Sequence, residues 1–226
     1  MRSIGLLVVV SVITGSVLPA QRGRVAGRVT IQERGNRASR DLGAAVVYLE
    51  GHDHPGAPGT FDVAIDDKLY VPKVLVVPVG STVRFPNHDP FNHNVFSPSE
   101  PNQFDLGLYG RNVSKSQLFG AAGLVRIYCN VHPRMVSYIV VAPNRFVAQP
   151  SADGAFTLDS VPPGRYRLHV WHERVAAEVV KEITVTATGA VGGEVQVTLD
   201  ARGYRWQPHK NKFGQEYGSS AGRERY

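Results

Sequence analysis

The chain of 226 residues contains one cysteine and, apart from Met1, one methionine. These lie six positions apart with a histidine midway, in Cys129-Asn130-Val131-His132-Pro133-Arg134-Met135. Taken singly, each has an ordinary explanation: a lone Cys packs as a small hydrophobe, Met fills cores, and His is a satisfied polar group. Together, thiolate, imidazole and thioether make a soft donor set that suits copper in both oxidation states and suits Mg²⁺ or Ca²⁺ poorly. Zinc accepts Cys and His but gains little from a thioether. One Cys excludes both an intramolecular disulfide framework and a dinuclear thiolate-bridged centre. A trigonal copper site needs a second imidazole, which should arrive from a distant strand. The run Phe85-Pro86-Asn87-His88-Asp89-Pro90-Phe91-Asn92-His93-Asn94-Val95-Phe96 offers two candidates, His88 and His93.

Strands must position these groups. Leu124-Val125-Arg126-Ile127-Tyr128 delivers Cys129 at a strand end, and Pro133 keeps the following loop from becoming helical. Val25, Gly27, Val29 and Ile31 alternate with polar neighbours, as do Phe61, Val63 and Ile65, the period-two pattern of half-buried strands. Val74 to Val79, Val83 to Phe85 and Ser137 to Val141 are further short runs between Gly, Pro and Asn turns. No long segment has helical periodicity. An all-β chain is expected, with sandwiches or barrels joined by Greek-key connections.

The quoted residues resemble the cupredoxins, the small blue-copper proteins that include plastocyanin and amicyanin. Tyr128-Cys129-x-x-His132-x-x-Met135 is similar to their downstream ligand phrase with the short spacing of amicyanin. Asn92-His93-Asn94-Val95 after Val83-Arg84-Phe85-Pro86-Asn87 is similar to their upstream phrase, with Asn92 where Pro is common. The likeness covers about residues 60 to 142 and leaves Ser97 to Gly123 as an unexplained insertion. It implies a Greek-key β-sandwich with one type 1 copper held by His93, Cys129 and His132, and Met135 as the weak axial ligand. It favours His93 over His88, and it implies that Asn94 ties the His93 loop to backbone beside Cys129. The remaining candidate histidines, His52 and His54 in a Gly/Pro loop and His169 and His172 on a strand, read as loop and sandwich residues. A multicopper oxidase would add a His-Cys-His phrase, which is absent.

A boundary is expected near Pro143 to Pro150. Beyond it the Asp153-Gly154 and Pro162-Pro163-Gly164 turns each set up a strand, with Phe156, Leu158, Tyr166, Leu168 and Val170 facing one core. Ile183 to Ala187 and Val195 to Leu199 would complete a small sandwich. This stretch resembles the carboxypeptidase regulatory-like, transthyretin-like module, generally an accessory without catalysis. Its linkage to the first unit resembles a bacterial group of plastocyanin-like, methylamine-utilisation-type proteins. The expected organisation is an export signal over 1–20, a cupredoxin unit over 21–143, the smaller sandwich over 144–200 and a basic, flexible tail over 201–226. Residues 27 to 49 could add strands to either unit, and the tail's alternative is a docking arm.

Residues 1–20 read as a signal peptide: Arg2, an apolar run from Ile4 to Ile13, then Pro19 and Ala20, with cleavage after Ala20. The run is too short to span a bilayer, so no membrane span is expected in the mature chain, and its place is periplasmic or secreted. The net charge of +6 is concentrated at the ends, +5 over 21–40 and +4 over 201–226. With export, this points to solvated tails or anionic envelope partners rather than nucleic acid. The functional expectation is a one-electron carrier, not an enzyme, with a redox partner protein. A copper-binding or delivery protein of the envelope is the alternative, and a thiol hydrolase using Cys129 and His132 would leave Met135 and His93 idle.

Overall fold

The structure, a computed structural model, describes residues 22–35, 37 and 39–217. The expected export signal lies outside the described residues. Short β-branched and aromatic runs become strands because successive side chains alternate between core and surface. In chain order the strands are β1 (Gly23–Gln32), β2 (Val46–Glu50), β3 (Thr60–Asp62), β4 (Ala64–Asp66), β5 (Leu69–Val71), β6 (Val74–Pro78), β7 (Ser81–Pro86), β8 (His93–Ser97) and β9 (Phe104–Tyr109). They continue with β10 (Ser114–Phe119), β11 (Gly123–Cys129), β12 (His132–Ala142), β13 (Val147–Ala148), β14 (Ala155–Val161), β15 (Gly164–Trp171), β16 (Val179–Thr186), β17 (Gly189–Ala190) and β18 (Val195–Asp200). The only helical element among the described residues is the 3-10 turn Leu42–Ala44. The all-β class expected from the sequence is the class observed.

Two sandwiches result. The first packs the sheet β10-β7-β3 against β6-β12-β11-β8-β9. Val63, Val83, Phe85, Phe119, Ile127 and Ile139 meet between them. The stretch from Ser97 to Gly123, unexplained at the level of motif, supplies β9 to the edge of the larger sheet through β8 and β10 to the smaller sheet through β7. It therefore crosses from one layer to the other and closes the core.

The second sandwich combines β14-β1-β18 with β13-β2-β15-β16-β17. This corrects the expected boundary at residue 21, because β1 and β2 belong here and not to the first unit. β1 lies between β14, antiparallel to it, and β18, parallel to it. Its alternating Val25, Val29 and Ile31 fill the same core as Phe156, Leu158, Val197 and Leu199. Without β1 the strands β14 and β18 would have no common neighbour and would leave backbone groups unpaired. The two sandwiches meet through Val46, Val74, Val140 and Trp171.

The tail is a second correction. Residues 201–217 are largely exposed but not free: they run from the end of β18 along the first sandwich and are tied to it by specific contacts. The Arg134 guanidinium lies 5.1 Å from the Trp206 ring centre. The ring of His209 stacks on Tyr128 at 4.4 Å.

Candidate metal centre

Cys129 ends β11 and His132 begins β12, with only Asn130 and Val131 between them. In the β11–β12 ladder Tyr128 faces Val136, so a regular register would place Met135 opposite Cys129. The register shifts there, and Cys129 faces His132 instead. Pro133, which has no N–H to give to a ladder, sits in this irregularity. Cys129 and Met135 are both buried in the core of the first sandwich.

The upstream imidazole comes from β8, thirty-six residues before Cys129. His93 Nδ1 lies 3.8 Å from Cys129 Sγ, and His132 Nδ1 lies 3.5 Å from it. The two imidazole rings are 4.7 Å apart. One ligand atom from each of His93, Cys129 and His132 falls within 4.8 Å of the other two, and all three residues are buried. Metal–donor bonds of about 2.0 to 2.3 Å set trigonal donors about 3.5 to 4 Å apart, so the observed separations fit a single ion. His88 is not part of this group: its side chain is exposed and its N–H donates to the Ile65 carbonyl at 2.9 Å.

The surroundings orient the donors. His93 Nε2–H donates to Asp89 Oδ2 at 2.7 Å, which assigns the proton to Nε2 and leaves Nδ1 facing the sulfur. Asp89 is itself held by the N–H groups of Asp67 (2.7 Å) and Lys68 (2.9 Å). Burial works to raise the Asp89 carboxyl, but the backbone donors and His93 overcome it and keep it below the usual carboxylate range. Asn94 Oδ1 accepts from the Asn130 N–H at 3.3 Å, joining β8 to the residue after Cys129. The Asn94 carbonyl accepts from the Tyr70 hydroxyl, and Tyr109 donates to the Phe85 carbonyl, each at 2.9 Å. Burial pushes both phenols up, most strongly Tyr70, so they stay protonated and serve as donors.

Phe91 covers the remaining side. Its ring lies 5.2 Å from His93 and 6.0 Å from His132, and the side chain is 40% exposed. A partly exposed aromatic ring thus packs beside both buried imidazoles. Sequence reading missed Asp89, Phe91, Tyr70 and Tyr109, although Asp89 stands four positions before His93. It also left out His209, whose neighbours in sequence form no motif.

The other histidines lie in the second sandwich or its loops. His169 sits between Glu50 Oε2 (2.9 Å) and Glu178 Oε1 (3.0 Å). His172 is buried beyond the end of β15. His52 and His54 pack edge-on to Tyr166 and Phe146. Among the described residues they form no further cluster that would hold a metal.

The matching family model covers residues 143–192 and is described as polysaccharide lyase family 4, domain II. No curated protein matches the chain. Among solved structures the chain is similar to a copper-containing nitrite reductase from Thermus scotoductus SA-01, with 29% identity over 38% of this chain and 22% of that one, TM-score 0.34. It is similar to amicyanin from Paracoccus versutus, with 21% identity over 36% of this chain and 80% of that one, TM-score 0.33. It is also similar to a purple cupredoxin from Nitrosopumilus maritimus, with 21% identity over 51% of this chain and 99% of that one, TM-score 0.31. The chain itself is an all-β protein of two sandwiches, the first of which gathers one thiol and two imidazoles at a single buried point.

Proposed function

We propose that this protein is an exported type 1 copper protein of cupredoxin type that carries single electrons between partner proteins and catalyses no reaction of its own. The observation that supports this most directly is the convergence of His93, Cys129 and His132, all buried, with ligand atoms within 4.8 Å of one another. These three residues would hold one copper ion, and the thioether of Met135, buried in the same core, would be the fourth and weaker donor. Copper in such a set exchanges one electron between Cu(II) and Cu(I). The chain's own part is to keep the donors still. Cys129 and His132 are locked by a two-residue turn, His93 by Asp89, and Asn94 ties the two segments together, so little has to move when charge changes.

A hydrolytic role for Cys129 receives less support, because its side chain is fully buried and faces two imidazoles rather than a substrate cleft. No helix among the described residues is long and apolar enough to cross a membrane. We place the protein in the periplasm or outside the cell on its first twenty residues, and its partner is a redox protein met there.

The test is the visible absorption spectrum of the chain from Gln21 after addition of Cu(II), beside Cys129→Ser. An intense thiolate-to-copper band present only in the wild type is the expected result, followed by reversible reduction without loss of metal. A colourless wild type, or a band indifferent to Cys129, would overturn the reading. Release of Cu(I) to an acceptor on reduction would favour delivery over electron transfer.

A further inference from the structure

The outer side of the Cys129–His132 turn is covered by the protein's own C-terminal segment, from Pro208 to Tyr217. Four acceptors in and next to that turn are engaged, on Cys129, Asn130, His132 and Pro133. The Tyr217 hydroxyl donates to the Cys129 carbonyl at 2.8 Å. The Lys212 N–H donates to Asn130 Oδ1 at 2.9 Å. His209 Nε2 lies 3.1 Å from the His132 carbonyl oxygen, and the His209 N–H donates to the Pro133 carbonyl at 3.3 Å. The segment thus supplies donors to three backbone carbonyls and one side-chain amide oxygen at the irregular end of the β11–β12 ladder.

The segment also closes a ring of hydrogen bonds. Asn94 Nδ2 donates to Asp105 Oδ1 at 2.7 Å, and Lys212 Nζ pairs with Asp105 Oδ2 at 2.6 Å. Lys212 reaches Asn130 through its backbone, and Asn130 returns to Asn94. The ring joins β8 next to His93, β9, the Cys129–His132 turn and the tail. The stack of His209 on Tyr128 adds a contact with the residue before the thiol.

We propose that residues 208–217 are a strap belonging to the metal centre, with His209 and Tyr217 acting as positioning residues for the Cys129–His132 turn. The strap holds both ends of the turn by their carbonyls and so fixes the separation of thiol and imidazole before any metal arrives. As a ligand-positioning device it rests on the copper reading above. An arm with a purely external role has no reason to place its side chains on the carbonyls of the two residues that carry the donors.

The experiment compares the chain from Gln21 with the double variant His209→Ala/Tyr217→Phe, the single variant Tyr217→Phe and the control Phe213→Ala. Phe213 is 72% exposed in the same segment, and its ring contact is with Lys212 Nζ at 5.5 Å and not with any of the four turn acceptors. Two quantities are measured: amide hydrogen exchange over residues 128–136 in metal-free protein, and the rate at which bicinchoninate removes Cu(I). Exchange about ten-fold faster in the double variant, copper loss about ten-fold faster, a smaller change in the same direction for Tyr217→Phe and no change for Phe213→Ala are expected. Tyr217→Phe removes one hydroxyl and keeps the ring, so it reads the strap even if the double variant does not fold. Unchanged exchange with copper uptake intact would overturn the strap alone. Failure of the wild type to take up copper would overturn the metal reading and the ligand role, and the exchange data would still decide whether the strap orders the turn.

Discussion

Asp89 and His93 form a buried pair, Oδ2 to Nε2 at 2.7 Å, which points the other ring nitrogen of His93 at the Cys129 sulfur. The carboxylate and the thiol thus lie on opposite sides of one imidazole. Asp89→Asn keeps the shape and one acceptor but removes the charge that makes the imidazole a stronger donor. Copper affinity is expected to fall about 10- to 100-fold, measured by competition with a chelator of known affinity. Unchanged affinity in a folded variant would show that backbone position alone orients His93.

Met135 tests the axial role against plain packing. Met135→Leu nearly conserves volume, so the fold should lose less than about 1.5 kcal/mol. If the thioether faces the metal, the blue band persists while the reduction potential shifts, because the axial group tunes it. An unchanged potential would leave Met135 as a core residue only.

The membership of β1 in the second sandwich can be read from Gly27. A Cβ at this position would lie 2.2 Å from the Val195 carbonyl oxygen and 2.6 Å from the Phe156 ring. Strand propensity favours Ala over Gly, yet Gly27→Ala should destabilise by about 1 to 3 kcal/mol or more because the strands must separate. Thermal unfolding and hydrogen exchange should show the loss in β14 and β18 with the copper band kept. A stabilised variant would mean that β1 is not seated between those strands.

His172 predicts an acid weakness of the same sandwich. Burial pushes its imidazole below the ordinary value, the nearby Arg174 adds to this, and Asp41, 3.5 Å away, and Glu173 only partly offset it. Its Nδ1 accepts from the Arg174 N–H at 3.2 Å, so Nε2 carries the proton and faces Asp41, whose Oδ2 is 3.5 Å away. The folded state therefore binds this second proton less readily than the unfolded chain. Stability is full above the unfolded value of about 6.5 and falls as pH drops below it. Denaturant melts between pH 7.5 and 5 should show this slope, flattened in His172→Asn. An equal slope in the variant would assign the acid loss to other groups.

Legibility was uneven for physical reasons. The strand that delivers Cys129 and the spacing of Cys129, His132 and Met135 were readable because they are local, but the start of β12 at His132, ahead of the run Ser137 to Val141, was not. In the second sandwich, Phe156, Leu158, Tyr166, Leu168 and Val170 share one core as their period-two spacing indicates. β1 has the same alternation, but a strand's pattern says that one face is buried, not which partner buries it. The tail was misread because composition rich in Arg, Lys, Gly and Ser describes a solvated segment unless specific aromatics find a surface. Trp206, His209 and Tyr217 find one on Arg134, Tyr128 and the Cys129 carbonyl.

By itself, then, the sequence determined an all-β chain and a soft donor set in one short segment, since residue type, strand period and local spacing act over a few positions. Tertiary structure settled that His93, which the resemblance favoured over His88, turns toward the thiol, and it alone decided that Asp89 orients it, that β1 serves the second sandwich, and that residues 208–217 lie on the Cys129–His132 turn. Each of these depends on register or on contacts between parts of the chain far apart in sequence, where the burial of one segment is set by the surface another presents.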